Sequence, residues 1–238
     1  MNNDNDNNCL AAEHCLAGAE TSAGERFLAG TDASEAYIAG HIDAEPSGLH
    51  ELYRRTHLRH LYPRMCSGHV QGRVLSMLSW MIRPRRVLEL GTYTGYSALC
   101  IAEGMPREGV LETVEIDDEM AEELEETFAN NPHECEIKLH IGDAEEIVPG
   151  LDGKWDLVFI DANKRKYCEY FDMVVDRVPS GGFILADNTL WGGKMLDGET
   201  GDAQSREIAR FNEKVACDPR VSTVILPVRD GLTLMRRL

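Results

Sequence analysis

From residue 86 to the end of the chain, short apolar runs alternate with longer segments patterned as helices. The runs Arg86–Leu90, Val110–Glu115, Glu136–Ile141, Trp155–Ile160 and Gly182–Ala186 are short and largely apolar, as strands buried on both faces should be. Helical stretches fall between them, near Gly95–Glu103, Glu119–Asn130, Ala144–Val148 and Arg165–Asp176, and another spans about Asp202–Ala216. This alternation predicts a parallel sheet with helices on both faces. The chain closes with VSTVILPV and LTLMRRL on either side of Arg-Asp-Gly, which predicts a β-hairpin.

Ahead of the first strand the pattern is helical. One helix is expected from Asp32, capped by Asp or Ser and stopped near Pro46. A second fits residues 49–61, and a third runs from about Gly68 to Ile82, where Pro84 ends it. Residues 1–30 are rich in Asn, Asp, Ala and Gly, with only a weak helical pattern near Cys9–Ala17. The expected organisation is a poorly ordered extension over 1–30 and one domain over 31–238.

Charge and cysteine content remove several classes of function. A net charge of −17 repels phosphate backbones and anionic lipid, so nucleic acid and membrane are disfavoured as bulk partners. The start, MNNDNDNN, lacks the basic and apolar regions of a secretory signal, and the apolar stretch 74–82 is too short to cross a bilayer. Seven scattered cysteines with no CxxC spacing indicate free thiols in a reducing, cytoplasmic setting rather than a zinc site.

The chemistry gathers at the carboxyl ends of the expected strands. The first ends in VLELGTYTGYS, where Gly91 and Gly95 let backbone approach a ligand. Their GxxxG spacing is not the GxGxxG of dinucleotide sites. Glu115, twenty residues after Gly95, is placed to accept ribose hydroxyls. Glu89, at the mouth of the glycine turn, would repel a pyrophosphate and welcome an ammonium or sulfonium, which favours S-adenosylmethionine. Asp143 ends the third strand beside the expected adenine position.

Asp161 ends the fourth strand in FIDANK, and Asp187 and Asn188 end the fifth in ILADN. Adjacent strands would bring these three oxygen donors together, a hard set suited to Mg2+, with Mn2+ or Ca2+ as alternatives. The competing reading is that the two acids cap the helices that follow. Lys164 lies three residues beyond Asp161. Beside a dication its pKa is expected to fall, which would suit it to take a proton from a hydroxyl.

MCSGHVQG, VLELGTYTGYS, FIDANK and ILADNTLWGGK together resemble the cation-dependent catechol and caffeoyl-coenzyme A O-methyltransferase family, bacterial members included. The likeness covers about Ala33 to the C-terminus. It implies an α/β fold of the Rossmann-like class I S-adenosylmethionine-dependent methyltransferases: a seven-stranded, mostly parallel sheet with a C-terminal antiparallel hairpin and N-terminal helices. It places Ser67, Glu89, Gly91, Ser97, Glu115 and Ala144 at cofactor contacts, and Asp161, Asp187 and Asn188 at the metal. Lys164 falls at the general base, with Asp161 counted in the cofactor and catalytic sets as well. The implied acceptor is a small, catechol-like hydroxylated molecule, and the implied assembly is a homodimer. The apolar edge of the terminal hairpin and the residues Tyr37, Ile38, Leu52, Tyr53 and Leu58 also favour a dimer. Residues 191–204 lie where members differ in their acceptor loops.

Two alternatives compete. Related bacterial proteins methylate hydroxyuridine in transfer RNA, and Arg54, Arg55, Arg59, Arg64, Arg73, Arg83, Arg85 and Arg86 form a basic segment that would serve RNA if they shared one exposed face beside the cofactor. A protein that binds S-adenosylmethionine without turnover is the other.

Overall fold

The computed structural model describes residues 32–198 and 200–238. The extension expected over 1–30, with its weak helix at Cys9–Ala17, lies outside the described residues. Three helices come first: α1 (Asp32–Ala39), α2 (Ser47–Arg59) and α3 (Gly68–Ile82). α1 stops at Ala39, well short of Pro46, which instead takes the N-cap position of α2. α3 ends as expected, with Arg83 in the left-handed region (φ 54) just ahead of Pro84.

Seven strands follow: β1 (Arg86–Leu90), β2 (Val110–Glu115), β3 (Glu136–Ile141), β4 (Leu157–Ile160), β5 (Phe183–Ala186), β6 (Val221–Leu226) and β7 (Leu232–Arg237). β4 begins two residues later than expected, because the Trp155 amide donates to Arg177 O outside the sheet. The helices among them are α4 (Tyr96–Ala102), α5 (Ala121–Ala129), α6 (Ala144–Ile147), α7 (Tyr167–Val175), α8 (Lys194–Asp197) and α9 (Ala203–Cys217). Short 3-10 turns at Asp118–Met120 and Lys164–Lys166 open α5 and α7. α8 was not anticipated, since four residues are too few to show a helical period.

The strand order is β3-β2-β1-β4-β5-β7-β6. The first five strands are parallel, and β7 runs antiparallel to both β5 and β6, as the hairpin predicts. The chain winds outward from β1 to β3, then returns to lay β4 on the other side of β1. A crevice therefore opens beyond the carboxyl ends of β1 and β4, the switch point where open α/β sheets bind ligands.

Both faces of the sheet are covered. Leu88, Leu90, Val158 and Ile160 pack with Phe171 of α7 and Phe211 of α9. Val87, Leu157 and Phe159 pack with Leu75 of α3 and Leu99 of α4. The alternation along β1 thus sends Glu89 to the α4 side, a point that matters below. Among the described residues no helix is long and apolar enough to cross a membrane.

Candidate active site

A cavity of about 1160 Å³ occupies the switch point. Its walls are the loops after β1, β2, β3, β4 and β5, the segment leading into α3, and the β6–β7 turn. Five described non-glycine residues have left-handed φ, and four of them, Tyr93, Asn188, Trp191 and Arg229, line this cavity. Such conformations cost on the order of 1 kcal/mol or more each and concentrate at functional sites.

The first loop is held by packing as well as by any ligand. Gly91 (φ 94) lies so close to the Asp161 carbonyl that a side chain there would collide with it. At Gly95 (φ 84) an added Cβ would come within 2.9 Å of the Phe128 ring. Glu115 ties the end of β2 to this loop: its carboxylate accepts from the amides of Thr92 (3.1 Å), Tyr93 (2.7 Å) and Asp117 (3.0 Å). It still reaches the cavity wall, and a carboxylate has room for about four such bonds. Ser67, Ser97, Asp143 and Ala144 also line the cavity. Asp143 accepts from Glu145 N (2.9 Å) and so caps α6.

Glu89 is not where the sequence suggests. It is fully buried on the α4 side of β1 and is absent from the cavity wall. Its two oxygens accept from Ser97 Oγ and Thr113 Oγ1, both at 2.6 Å. Burial pushes its carboxyl up to about 8, against the pull of these two hydroxyls. Rather than an anion at the mouth of the loop, it is a largely protonated group beneath it at neutral pH. Strand alternation is the cause.

Asp161 and Asp187 meet at neighbouring strand ends. Ile160 and Ala186 are paired in register, and Asp187 N donates to Ile160 O (3.0 Å). Asp187 is 2% exposed; burial, then the charge of Asp161, raises its carboxyl to about 6 against the opposing effects of Lys164, Gln71 and the Asn188 amide. Asn188 follows with φ 59. The capping alternative does not hold for Asp161, because Asn163 caps the turn after β4 by accepting from Arg165 N (3.1 Å). Among the described residues no group of three or more His, Cys, Asp or Glu is placed to hold a metal. Asn188, next to Asp187 in the chain, also lines the cavity and could add an amide oxygen to the two carboxylates, a donor type that hard cations accept.

Lys164 sits in this acidic corner, its Nζ 2.5 Å from Asp161 Oδ1 and 2.7 Å from the Tyr167 hydroxyl. Burial favours its neutral form, but Asp161, Tyr167 and Asp187 outweigh burial and hold the pKa above the ordinary lysine value. The expected fall is therefore not a property of the chain alone, since the surrounding acids stabilise the ammonium.

Three residues at the site escaped the sequence: Arg229, which lines the cavity, and Tyr167 and Gln71, which are buried behind its wall. Tyr167 donates to Asp187 O (3.0 Å) while accepting from Lys164, at a spacing of three that places both in the same helical turn. Gln71 presents Oε1 to Arg229 (3.1 Å), while its Nε2 faces Asp187 without closing an ordinary hydrogen bond. Arg229 reaches from the β6–β7 turn to the carbonyls of Cys66 and Ser67. Gln71 lay within a quoted motif, whereas nothing in one sequence marks Arg229.

Little of the basic segment reaches the cavity wall. Arg55, Arg73 and Arg86 pair with Glu123, Glu103 and Glu112, and of the eight arginines only Arg64 lines the cavity. The sequence pattern missed these partners because they are distant in the chain.

Residues 40–238 match the O-methyltransferase family. A caffeoyl-CoA O-methyltransferase of Nicotiana tabacum is 32% identical over 231 residues, covering 90% of this chain and 95% of its own. One from Populus trichocarpa is 32% identical over 238 residues, 93% of this chain and 95% of its own. Among solved structures, the SAH-bound methyltransferase PaMTH1 of Podospora anserina superposes with a TM-score of 0.81 at 28% identity, covering 93% of this chain and 99% of its own. TomG of Streptomyces achromogenes, an O-methyltransferase of tomaymycin synthesis in complex with SAM, gives 0.78 at 28% identity, with 86% and 96% covered. The family match takes in every strand of the sheet and every wall of the cavity, and this chain belongs to the O-methyltransferase family that includes the caffeoyl-CoA O-methyltransferases.

Proposed function

We propose that the protein transfers a methyl group from S-adenosylmethionine to a hydroxyl of a small catechol-like acceptor, with a divalent cation held by Asp161, Asp187 and Asn188. The observation that carries this reading is the meeting of two acids, an amide and a lysine at the ends of β4 and β5 in one large cavity. The SAM and SAH complexes of structural neighbours support the donor, and the names of the curated relatives support a phenolic acceptor.

The donor would supply an electrophilic methyl on a sulfonium. Ser67, Gly91, Ser97, Glu115, Asp143 and Ala144 would bind it, with Glu89 acting from below by holding Ser97. Mg2+, or Mn2+ or Ca2+ in its place, would bind acceptor oxygens and lower the pKa of the hydroxyl. Were Asp161 and Asp187 to hold that cation, their pull on the Lys164 proton would weaken and burial would favour its uncharged form. Lys164 then accepts the hydroxyl proton on Nζ, while Tyr167 keeps that nitrogen aimed. No covalent intermediate on the protein is required, so its contribution is positioning and charge stabilisation. Residues 31–238 form the catalytic unit in this reading, and two copies associate through the exposed β6 edge and α1.

Labelled S-adenosylmethionine with catechol, a monohydroxy analogue and transfer RNA, each with and without chelator, tests the proposal. Methylation of catechol alone, abolished by chelator, is the expected result. Catechol methylation that survives excess chelator would refute the metal's role, and methylation of transfer RNA alone would refute the acceptor.

A further inference from the structure

Resting on the reading above that Asp161, Asp187 and Asn188 hold a divalent cation, we infer that Gln71, locked in orientation by Arg229, is a positioning residue that aims the Asp187 carboxylate at that cation.

Gln71 lies on the first turn of α3 and is 1% exposed, an uncommon place for a primary amide. The two ends of that amide differ, since the oxygen only accepts and the nitrogen only donates. Arg229 Nη1 meets it at 3.1 Å, and a guanidinium has no acceptor, so the end facing Arg229 is Oε1. The guanidinium is itself anchored. Nη1 also donates to Cys66 O (3.0 Å) and Ser67 O, and Nη2 donates to Arg64 O (3.3 Å). Arg229 cannot swing away without losing these carbonyls, and while it stays the amide of Gln71 cannot turn over. The clamp also gives a use to the left-handed backbone of Arg229 (φ 47), which brings a long donor to this wall at a cost in strain.

The lock on Oε1 fixes Nε2 as well. That nitrogen is buried, has no hydrogen-bond partner among the described residues, and faces Asp187. Buried polar groups are nearly always paired, so a donor held unpaired beside a carboxylate calls for a reason. Asp187 supplies one. Its backbone is pinned at both ends: N donates to Ile160 O (3.0 Å), and O accepts from the Tyr167 hydroxyl (3.0 Å). Its carboxylate is held less firmly, by the adjacent Asn188 amide on Oδ1 (2.8 Å). A second donor that cannot turn decides how the two oxygens point. Donors of this kind orient the carboxylates that ligate metals, and losing one typically costs about 10–100-fold in metal affinity.

Arg229 could act on a cation in two opposite ways. As a bare charge it repels a dication, so its removal would tighten binding. As the clamp on Gln71 its removal would loosen binding, because the amide could then turn its oxygen towards Asp187. The sign of the effect separates the two.

The test is a Mn2+ titration of the full chain, followed by electron paramagnetic resonance, with SAH affinity measured separately by calorimetry in the absence of metal. Gln71→Met keeps the length of the side chain and removes the donor. It should weaken Mn2+ binding by about 10–100-fold and leave SAH affinity at the parent value. Arg229→Met should weaken Mn2+ binding by a smaller factor, and Arg229→Lys should retain part of the parent affinity. Combined with Gln71→Met, Arg229→Met should cause no further loss, because no amide is left to orient. Parent-like Mn2+ affinity in Gln71→Met would overturn the inference and leave the metal reading intact. Tighter Mn2+ binding in Arg229→Met, or losses that simply add in the double variant, would also overturn it. So would a loss of SAH affinity in Gln71→Met as large as its loss of Mn2+ affinity, which would mark a structural role. Should Gln71→Met not fold, Arg229→Met, at a half-buried position that opens no hole in the core, still decides between weakening and tightening. Absence of Mn2+ binding in the parent protein would remove the metal reading, and the inference with it.

Discussion

Lys164 Nζ lies 2.5 Å from Asp161 Oδ1, so a lysine and an acid three residues apart form a part-buried ion pair at the end of β4. In the proposed mechanism the pair would let one residue hold a proton in the free protein and accept one during reaction, because the lysine's affinity for its proton depends on whether Asp161 carries an uncompensated charge.

Lys164→Met should lower turnover by about 10²–10⁴-fold, the usual worth of a general base. Lys164→Arg should not restore it, because a guanidinium does not release its proton near neutral pH. Single-turnover rates with saturating donor would measure both. An arginine variant within about tenfold of the parent rate would argue against proton transfer through this nitrogen.

Glu115→Ala removes an acceptor shared by three backbone amides of the glycine loop and its neighbour. Its expected effects are a loss of roughly 1–3 kcal/mol in stability and weaker S-adenosylmethionine binding. Thermal unfolding and calorimetric titration read the two separately. If both are unchanged, Glu115 is only a strand-end acid.

Glu89 carries a pH signature. Its carboxyl is raised from 4.5 to about 8, chiefly by burial. The folded protein therefore retains a proton that the unfolded chain releases, and stability should fall as pH rises from 4.5 towards 8. Asp187, raised from 3.8 to about 6, adds a loss of the same sign over its own interval. Glu89→Gln supplies a neutral group of similar shape, so it should gain on the parent protein at pH 9 by roughly 1–3 kcal/mol and differ little at pH 5. Urea unfolding at the two pH values would reveal this, and parallel profiles would contradict it.

The protein should also be a dimer in solution. β6 ends the sheet with Val224 and Ile225 exposed, and Tyr37 and Ile38 of α1 are exposed as well. A two-fold contact covering such surfaces should bury more than about 1,000 Å². Light scattering at micromolar concentration should give twice 26.6 kDa, and a mass of 26.6 kDa would refute the claim.

The central strands were legible in the sequence because apolar runs report burial on both faces: β1 and β2 lie where the pattern puts them, and β3 does too although, at the sheet's edge, none of its residues is buried. The acids at strand ends were legible for the same reason, since a polar residue closing an apolar run marks the sheet's rim. The direction of Glu89 followed from alternation, but its motif beside the glycines masked that signal. The hidden features depend on long-range contacts. Arg229 meets Ser67 across 162 residues, and the partners of the basic segment lie on other elements. The raised pKa of Lys164 depends on acids from two strands, and no local pattern conveys that balance.

The most direct test of the account is a titration of Mn2+ followed by electron paramagnetic resonance, with the parent protein and Asp187→Asn, before and after adding catechol. One tight site per chain is predicted in the parent, with a spectrum that changes when catechol displaces water, and its affinity should be severely weakened in the variant. Equal Mn2+ binding by both proteins, or a spectrum that catechol leaves unchanged, would contradict the assignment of Asp161, Asp187 and Asn188 as the place where cation and acceptor meet.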